Sequence, residues 1–104
     1  MSIDLGRWAD PSLLVLASLA GGPKHGYAIT QDVAETVGVT MGPGTLYGVI
    51  ARLEQAGLIE PLAPEQRRRP YRLSEAGAEA LRVEASRMRE VADVGLRRLS
   101  LKLT

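Results

Sequence analysis

Residues 41–59 read Met-Gly-Pro-Gly-Thr-Leu-Tyr-Gly-Val-Ile-Ala-Arg-Leu-Glu-Gln-Ala-Gly-Leu-Ile and predict a helix that stops at a glycine and leads straight into a strand. Pro43 suits the first helical position, because its missing N–H would have no partner there. Gly57 is placed to end the helix. The apolar residues recur at helical spacing and so share one inward face: Leu46, Val49, Ile50 and Leu53. We therefore expect a helix over 43–56, whose other side carries polar and small residues.

The flanking sequence predicts three more helices and a small β-hairpin. An apolar run over 11–20 could be a buried strand by periodicity alone, but its leucines and alanines favour a helix. Few residues separate the helix expected over 26–37 from the one over 43–56, so the two should form a helix-turn-helix. Pro61 and Pro70 lie in the two expected strands and favour a short exposed ribbon over a central sheet. The expected strands are 58–62 and 70–74, followed by a long helix from about 75 to about 101.

Positive charge is concentrated in the middle of the chain. The 104 residues carry a net charge of only +1, but residues 41–74 hold five arginines against three glutamates, whereas residues 1–40 hold two basic against four acidic side chains. Local positive charge steers a protein towards phosphate. Cysteine is absent, which excludes disulfides. No apolar run reaches the roughly 18 residues of a membrane span, so we expect one cytoplasmic domain with no membrane partner.

The last predicted helix carries a heptad-like apolar seam of about three heptads, interrupted near Gly95. A domain of this size is not expected to cover the whole seam, so we infer a partner helix, most simply from a second copy of the chain. The fold class is therefore mainly α with a small β-hairpin: a winged helix-turn-helix DNA-binding domain over 1–74 and a dimerisation helix over 75–104, within one compact unit. The seam residues are Leu81, Ala85, Met88, Ala92, Leu96, Leu99 and Leu103.

The start and outer side of the helix over 43–56 are candidates for contact with double-stranded DNA. A helix N-terminus favours phosphate, and glycine at Gly44 and Gly48 permits a close backbone approach. Thr45 and Tyr47 add hydroxyl donors, and Arg52 could reach a phosphate or a base edge. Alternatively, Gly44 and Thr45 merely start the helix, and Tyr47 is a half-buried flank residue. Arg52 is then a solvated charge or pairs with a nearby glutamate.

The loop between the two strands carries three consecutive arginines, Arg67, Arg68 and Arg69. Adjacent guanidiniums on a narrow hairpin repel one another unless an anion is near, and they suit the minor groove or its phosphates. Most charge runs are simply solvated loops. This run, however, follows a helix-turn-helix, so we expect at least one of the three to contact DNA.

An ordered set of short segments resembles the PadR family of transcriptional regulators: Pro23-Lys-His-Gly-Tyr-Ala-Ile29, Gly44-Thr-Leu-Tyr47, Arg52-Leu-Glu54, Gly57-Leu-Ile59 and Arg69-Pro-Tyr-Arg-Leu-Ser-Glu-Ala-Gly77. On residue type alone, His25 could be a structural residue packed at the start of the helix over 26–37, and Tyr27 could equally belong to the core. The resemblance implies a winged-helix homodimer, often a repressor released by a small molecule, with His25 and Tyr27 near the DNA backbone. It also implies pairing through the first and last helices, which adds Leu13 and Leu16 to the dimer contacts. Many members have proline where this chain has Gly48.

An apolar effector pocket is a further hypothesis. In a dimer, Trp8 could line a cavity with Met88, Val91 and Ala92, although an isolated tryptophan is more often a packing residue. Few polar anchors lie along this seam, so any effector should be lipophilic or aromatic.

Catalysis is poorly supported, because the chain has one histidine, no cysteine and no phosphate loop or His-Glu-x-x-His motif. We expect no enzyme activity, no cofactor and no metal. The competing hypothesis is a winged-helix module that binds other proteins and not DNA. Its near-neutral net charge is compatible with that role.

Overall fold

The structure, a computed structural model, describes residues 10–103 and confirms the predicted mainly helical winged-helix fold. In chain order the elements are α1 (Pro11–Ala20), β1 (Lys24–His25), α2 (Gly26–Val37), α3 (Pro43–Gln55), β2 (Ile59–Pro61), β3 (Pro70–Leu73) and α4 (Glu75–Leu103). The four expected helices are present. Helix α3 ends one residue before the predicted boundary, and α4 runs without a break through Gly95.

The helix ends follow local chemistry. The Asp10 carboxylate accepts a hydrogen bond from the N–H of Ser12 (2.9 Å), which satisfies a donor that the helix leaves unpaired. Helix α2 ends at Gly38, whose φ of 70° is left-handed and whose N–H donates to the Ala34 carbonyl. Helix α3 begins at Pro43 after Gly42, which supplies no side-chain cap.

One apolar core joins the first three helices to the sheet. Helix α1 contributes Val15 and Leu19, and α2 contributes Ile29 and Val33, all of them buried. The predicted inward stripe of α3 is buried in full: Leu46, Val49, Ile50 and Leu53. Met41, in the turn between α2 and α3, fills the same core. Because one stripe of α3 is fixed against this core, its opposite side faces outward.

The β-structure is a three-stranded antiparallel sheet in the order β1-β3-β2. The two strands of the predicted hairpin are present, but the prediction missed a third strand. The additional strand is β1, which pairs Lys24 with Tyr71 and His25 with Pro70. Strand β3 is therefore central, with Pro70 at its first position, where proline is tolerated. This pairing ties the start of α2 to the base of the wing, which we define as residues 62–69.

Helix α4 is attached to the domain through its first turns. The Ser74 hydroxyl donates to the Gly57 carbonyl (2.6 Å) and accepts from the N–H of Gly77 (3.0 Å). A Cβ on Gly77 would lie 1.9 Å from the Leu58 carbonyl oxygen, so only glycine permits this approach. Beyond Leu81 the helix extends away from the core, and the molecule reaches 57 Å along its longest axis.

Candidate nucleic-acid interface

The outer side of α3 is exposed and carries few large side chains. Gly44, Thr45, Gly48 and Arg52 are all exposed, as the sequence predicts. A Cβ on Gly44 or Gly48 would meet nothing within 4 Å, so the fold itself does not require glycine at either position. Glycine costs about 1 kcal/mol relative to alanine inside a helix. The surface that results admits another molecule close to the α3 backbone.

Tyr47 lies at the edge of this surface and leans towards α2. Its side chain is 56% exposed. Its hydroxyl oxygen lies 2.9 Å from the position that a Cβ of Gly26 would take. Gly26 therefore makes room for the Tyr47 ring, and the phenol hydroxyl reaches the start of α2. The Tyr47 side chain thus lies between α3, which carries it, and the start of α2.

His25 forms the N-terminal cap of α2 and also contacts the wing. Its Nδ1 accepts from the N–H of Ala28 (3.3 Å), and its Nε2 lies 3.2 Å from Nη1 of Arg68. The contact crosses 43 residues of sequence and depends on the β1–β3 pairing, which puts His25 opposite Pro70. Sequence reasoning named His25 but identified neither its capping role nor its link to Arg68. No local pattern signals such a link.

The wing ends in a tight two-residue turn. Glu65 and Arg68 exchange backbone hydrogen bonds of 2.7 and 2.8 Å, and Gln66 and Arg67 between them have φ of 49° and 68°. Positive φ at both central residues defines a type I′ turn, which usually takes asparagine or glycine. The wing is therefore a stiff hairpin that presents Arg67 at its tip.

The three wing arginines have separate surroundings. Arg69 donates to the Leu62 carbonyl oxygen (2.9 Å). The guanidinium carbon of Arg68 lies 5.8 Å from the Tyr27 ring centroid, within the range of a cation–π contact. Arg72 on β3 pairs with Glu60 across the sheet (2.9 Å), which neutralises a nearby positive charge. Arg68 and Arg69 therefore contact different parts of the protein, the start of α2 and the wing itself.

These side chains surround one open cleft of about 400 Å³ between the wing, the start of α2 and the start of α3. The predicted contacts Gly44, Thr45, Gly48 and Arg52 do not line it and lie on the adjoining outer side of α3. A neighbouring cleft of about 530 Å³, on the other side of His25 and Arg68, is bordered by Glu65. The first cleft is lined by His25, Gly26, Tyr27, Tyr47, Arg67, Arg68, Arg69 and Tyr71.

Tyr71 forms the inner wall of this cleft. Burial raises the pKa of its phenol above the usual value of 10.0, and the negative charge of Glu54 raises the pKa further, whereas Arg69 opposes the shift. The phenol is therefore neutral under ordinary conditions and adds no negative charge to the arginine-lined surface.

The predicted dimer residues fall into two groups. Leu16 is buried in the core of its own subunit, and Leu13 and Leu81 are partly buried. Met88, Ala92, Leu96 and Leu99 lie exposed on α4. Of the candidate effector pocket, Met88, Val91 and Ala92 are likewise exposed on α4, and Trp8 lies outside the described residues. A pocket there would need a second wall.

Residues 10–103 bring together no group of three or more histidine, cysteine, aspartate or glutamate side chains that could hold a metal ion. No helix within the same residues is long and apolar enough to cross a membrane.

Comparison with known proteins identifies the family of the chain. Residues 15–83 match the model of the transcriptional regulator PadR-like family. The chain is 37% identical over 86 residues to the transcriptional regulator Rv3488 of Mycobacterium tuberculosis, covering 77% of each chain. It is 48% identical over 82 residues to an uncharacterised 37.1 kDa protein in transposon Tn4556 of Streptomyces fradiae, covering 79% of this chain but only 24% of that protein.

Solved structures agree in fold. A PadR family regulator from Clostridium difficile superposes with a TM-score of 0.76 at 23% identity, covering 86% of this chain and 97% of that one. A PadR family regulator from Eggerthella lenta superposes with a TM-score of 0.67 at 30% identity, covering 78% of this chain and 70% of that one. With a family model that matches most of its length, this chain belongs to the PadR-like family of transcriptional regulators.

Proposed function

We propose that the chain is a homodimeric, sequence-specific repressor, not an enzyme, that acts in the cytoplasm on an inverted-repeat operator in double-stranded DNA. One observation carries the DNA-binding part: the β1–β3 pairing sets the start of α2, the start of α3 and the wing around one basic cleft. In this arrangement α3 enters the major groove, while the wing and the start of α2 follow the phosphates on either side.

Different parts of the surface supply affinity and base choice. Affinity comes from phosphate contacts by Tyr47 and the wing arginines, so it should fall as salt rises. Base choice comes from Thr45 and Arg52, with Gly48 allowing a close approach. Because so few side chains face the bases, groove shape contributes much of the specificity.

Dimerisation rests on α4. Met88, Leu96 and Leu99 expose apolar side chains along a helix that extends beyond the core, and such patches mark association surfaces. Two copies paired through α4 would carry their α3 helices to successive major grooves. A lipophilic or aromatic effector at Met88, Val91 and Ala92, walled by the second copy, would change that spacing and release the DNA.

A salt titration tests the wing. Replacing Arg67, Arg68 and Arg69 together by alanine should weaken binding to duplex DNA. The slope of log affinity against log salt should also become shallower, by about 0.9 for each phosphate that the protein no longer neutralises. The control is Arg72→Ala, because Arg72 already pairs with Glu60. An unchanged slope in the triple variant would rule the wing out as a phosphate-binding element.

The exposed apolar seam of α4 also suits a second function, a module that binds a foreign protein and no DNA. A gel shift with random duplex DNA at low salt separates the two hypotheses. A regulator should retard the duplex in a salt-sensitive way, and an interaction module should leave its mobility unchanged.

A further inference from the structure

His25 is the only histidine in the chain. Each of its two ring nitrogens faces a hydrogen-bond donor from another residue. At Nδ1 the donor is the backbone N–H of Ala28 (3.3 Å). At Nε2 it is the Arg68 guanidinium (3.2 Å), which can only donate. Both contacts therefore require the ring nitrogen to act as a hydrogen-bond acceptor.

A neutral imidazole has only one accepting nitrogen. If Nδ1 caps α2, the proton lies on Nε2 and faces the Arg68 N–H groups. If Nε2 accepts from Arg68, the proton lies on Nδ1 and faces the N–H of Ala28, so Nδ1 cannot cap the helix. In either tautomer, one ring N–H therefore faces another N–H group and forms no hydrogen bond with it. A negatively charged acceptor between Nε2 and Nη1 removes this conflict.

We propose that a phosphate oxygen of duplex DNA binds between Nε2 of His25 and Nη1 of Arg68, accepts from both, and fixes His25 in the tautomer whose Nδ1 caps α2. The proposal rests on the proposed DNA-binding function and names the ligand of one position in that interface. It assigns His25 a direct contact and makes DNA binding and the capping of α2 mutually dependent.

The surroundings favour one side of the His25–Arg68 pair. Tyr27 and Tyr47 line the 400 Å³ cleft on one side, where their hydroxyls are additional donors and Arg67 and Arg69 add positive charge. Glu65 borders the cleft on the other side and would repel a phosphate. The Tyr27 ring beneath Arg68 holds the guanidinium in place without competing for its N–H groups. The phosphate should therefore enter from the tyrosine side.

Nitrogen-15 NMR of the imidazole tests the tautomer directly, because a single histidine gives a single pair of ring signals. The measurement is made in mildly alkaline buffer on the whole protein, first alone, then with inorganic phosphate, then with a random-sequence duplex. Bound duplex should shift the ring to the form protonated at Nε2. A tautomer ratio that stays the same when duplex is bound would overturn the proposal.

A capping-competent variant separates the contact from the fold. His25→Asn keeps a good N-cap residue but removes the Nε2 donor. It should melt at the wild-type temperature and bind duplex about 10-fold more weakly, the effect of one hydrogen bond to a charged group. Combined with Arg68→Ala, its effect should be less than additive, because both substitutions act on the same phosphate. Full additivity would contradict a shared phosphate.

Arg72→Ala is the matched control, since it removes one arginine from the same sheet outside the cleft. It should leave the response of His25 to duplex intact. If the wild-type protein retards no duplex, the proposed DNA-binding function is wrong. A change in the His25 tautomer ratio on adding inorganic phosphate then decides whether the site binds phosphate at all. If the wild type binds duplex and His25→Asn binds it equally well, DNA binding stands and the phosphate contact at His25 is disproved.

Discussion

Helices α3 and α4 each carry an apolar stripe, but a single chain covers only one of the two stripes. On α3, Leu46 and Leu53 are 2% and 5% exposed; on α4, Leu96 and Leu99 are 65% and 58% exposed. The helices also differ on their remaining faces. The outer side of α3 carries glycine and threonine, whereas α4 carries charged side chains along its length. The position of α3 is thus decided within one subunit, and that of the distal part of α4 is not.

The difference separates two kinds of contact. All the large aliphatic side chains of α3 are buried, and its outer side presents backbone, polar groups and the Tyr47 ring, which suits a polar ligand. Helix α4 leaves apolar area in water, and burying such area is worth about 25 cal/mol per Å². A second copy of α4 would recover that free energy, so the comparison predicts that α4 and not α3 mediates association.

Charges in the α4 seam should have the largest effect. Leu96→Glu combined with Leu99→Glu would place four carboxylates in the interface of a dimer, and we expect the dissociation constant to rise about 1,000-fold or more. Size-exclusion chromatography with light scattering measures the change. Val83→Glu is the control, because Val83 is exposed and helical spacing puts it on the side of α4 opposite Leu96 and Leu99. If the double variant remained a dimer at low concentration, α4 would not be the dimer interface.

A substitution at Gly77 should have the next largest effect, because Gly77 holds α4 to the domain. Gly77→Ala would bring a methyl group against the Leu58 carbonyl, and we expect it to lower the free energy of unfolding by about 3 kcal/mol. Urea denaturation measures the decrease.

The matched change on α3 should have the opposite sign. Gly48→Ala meets nothing within 4 Å and should raise the free energy of unfolding by about 0.5–1 kcal/mol through helix propensity alone. Equal effects of the two substitutions would show that the approach of α4 to Leu58 is not tight.

Much of this fold could be predicted from local signals. Prolines at the first positions of α1 and α3, and glycines after α2 and α3, mark helix ends by backbone chemistry alone. Strand β1 could not be predicted, because two residues with no β-pattern form a strand only when β3 lies beside them. The role of Gly77 was likewise hidden, since the Leu58 carbonyl that it accommodates is distant in sequence.

The candidate site was predictable as a set of residues but not as an arrangement. Charge and order along the chain pointed to the wing and to α3. They gave no sign that Gln66 and Arg67 adopt a type I′ turn, since neither is the glycine or asparagine typical of one. The pairing of β1 with β3 then brings Arg68 to His25.

Tyr71, on β3 at the wall of the cleft, should give the smallest effect. Its pKa is raised in the folded state, so the folded protein resists ionisation of this phenol and the unfolded chain does not. The contribution to stability is complete below the unfolded value of about 10 and is lost as pH rises through the folded pKa. Denaturation across this alkaline range should show a decline that Tyr71→Phe reduces. An identical decline in both proteins would exclude Tyr71 as its source.

Selection of bound sites from a random duplex pool tests most directly whether paired α4 helices present two α3 helices to DNA. The account predicts enrichment of an inverted repeat whose half-site centres lie about 10 base pairs, one helical turn, apart. The Leu96→Glu, Leu99→Glu protein should no longer select that paired pattern. Enrichment of unpaired single sites by the wild-type chain, or no enrichment above the starting pool, would contradict it.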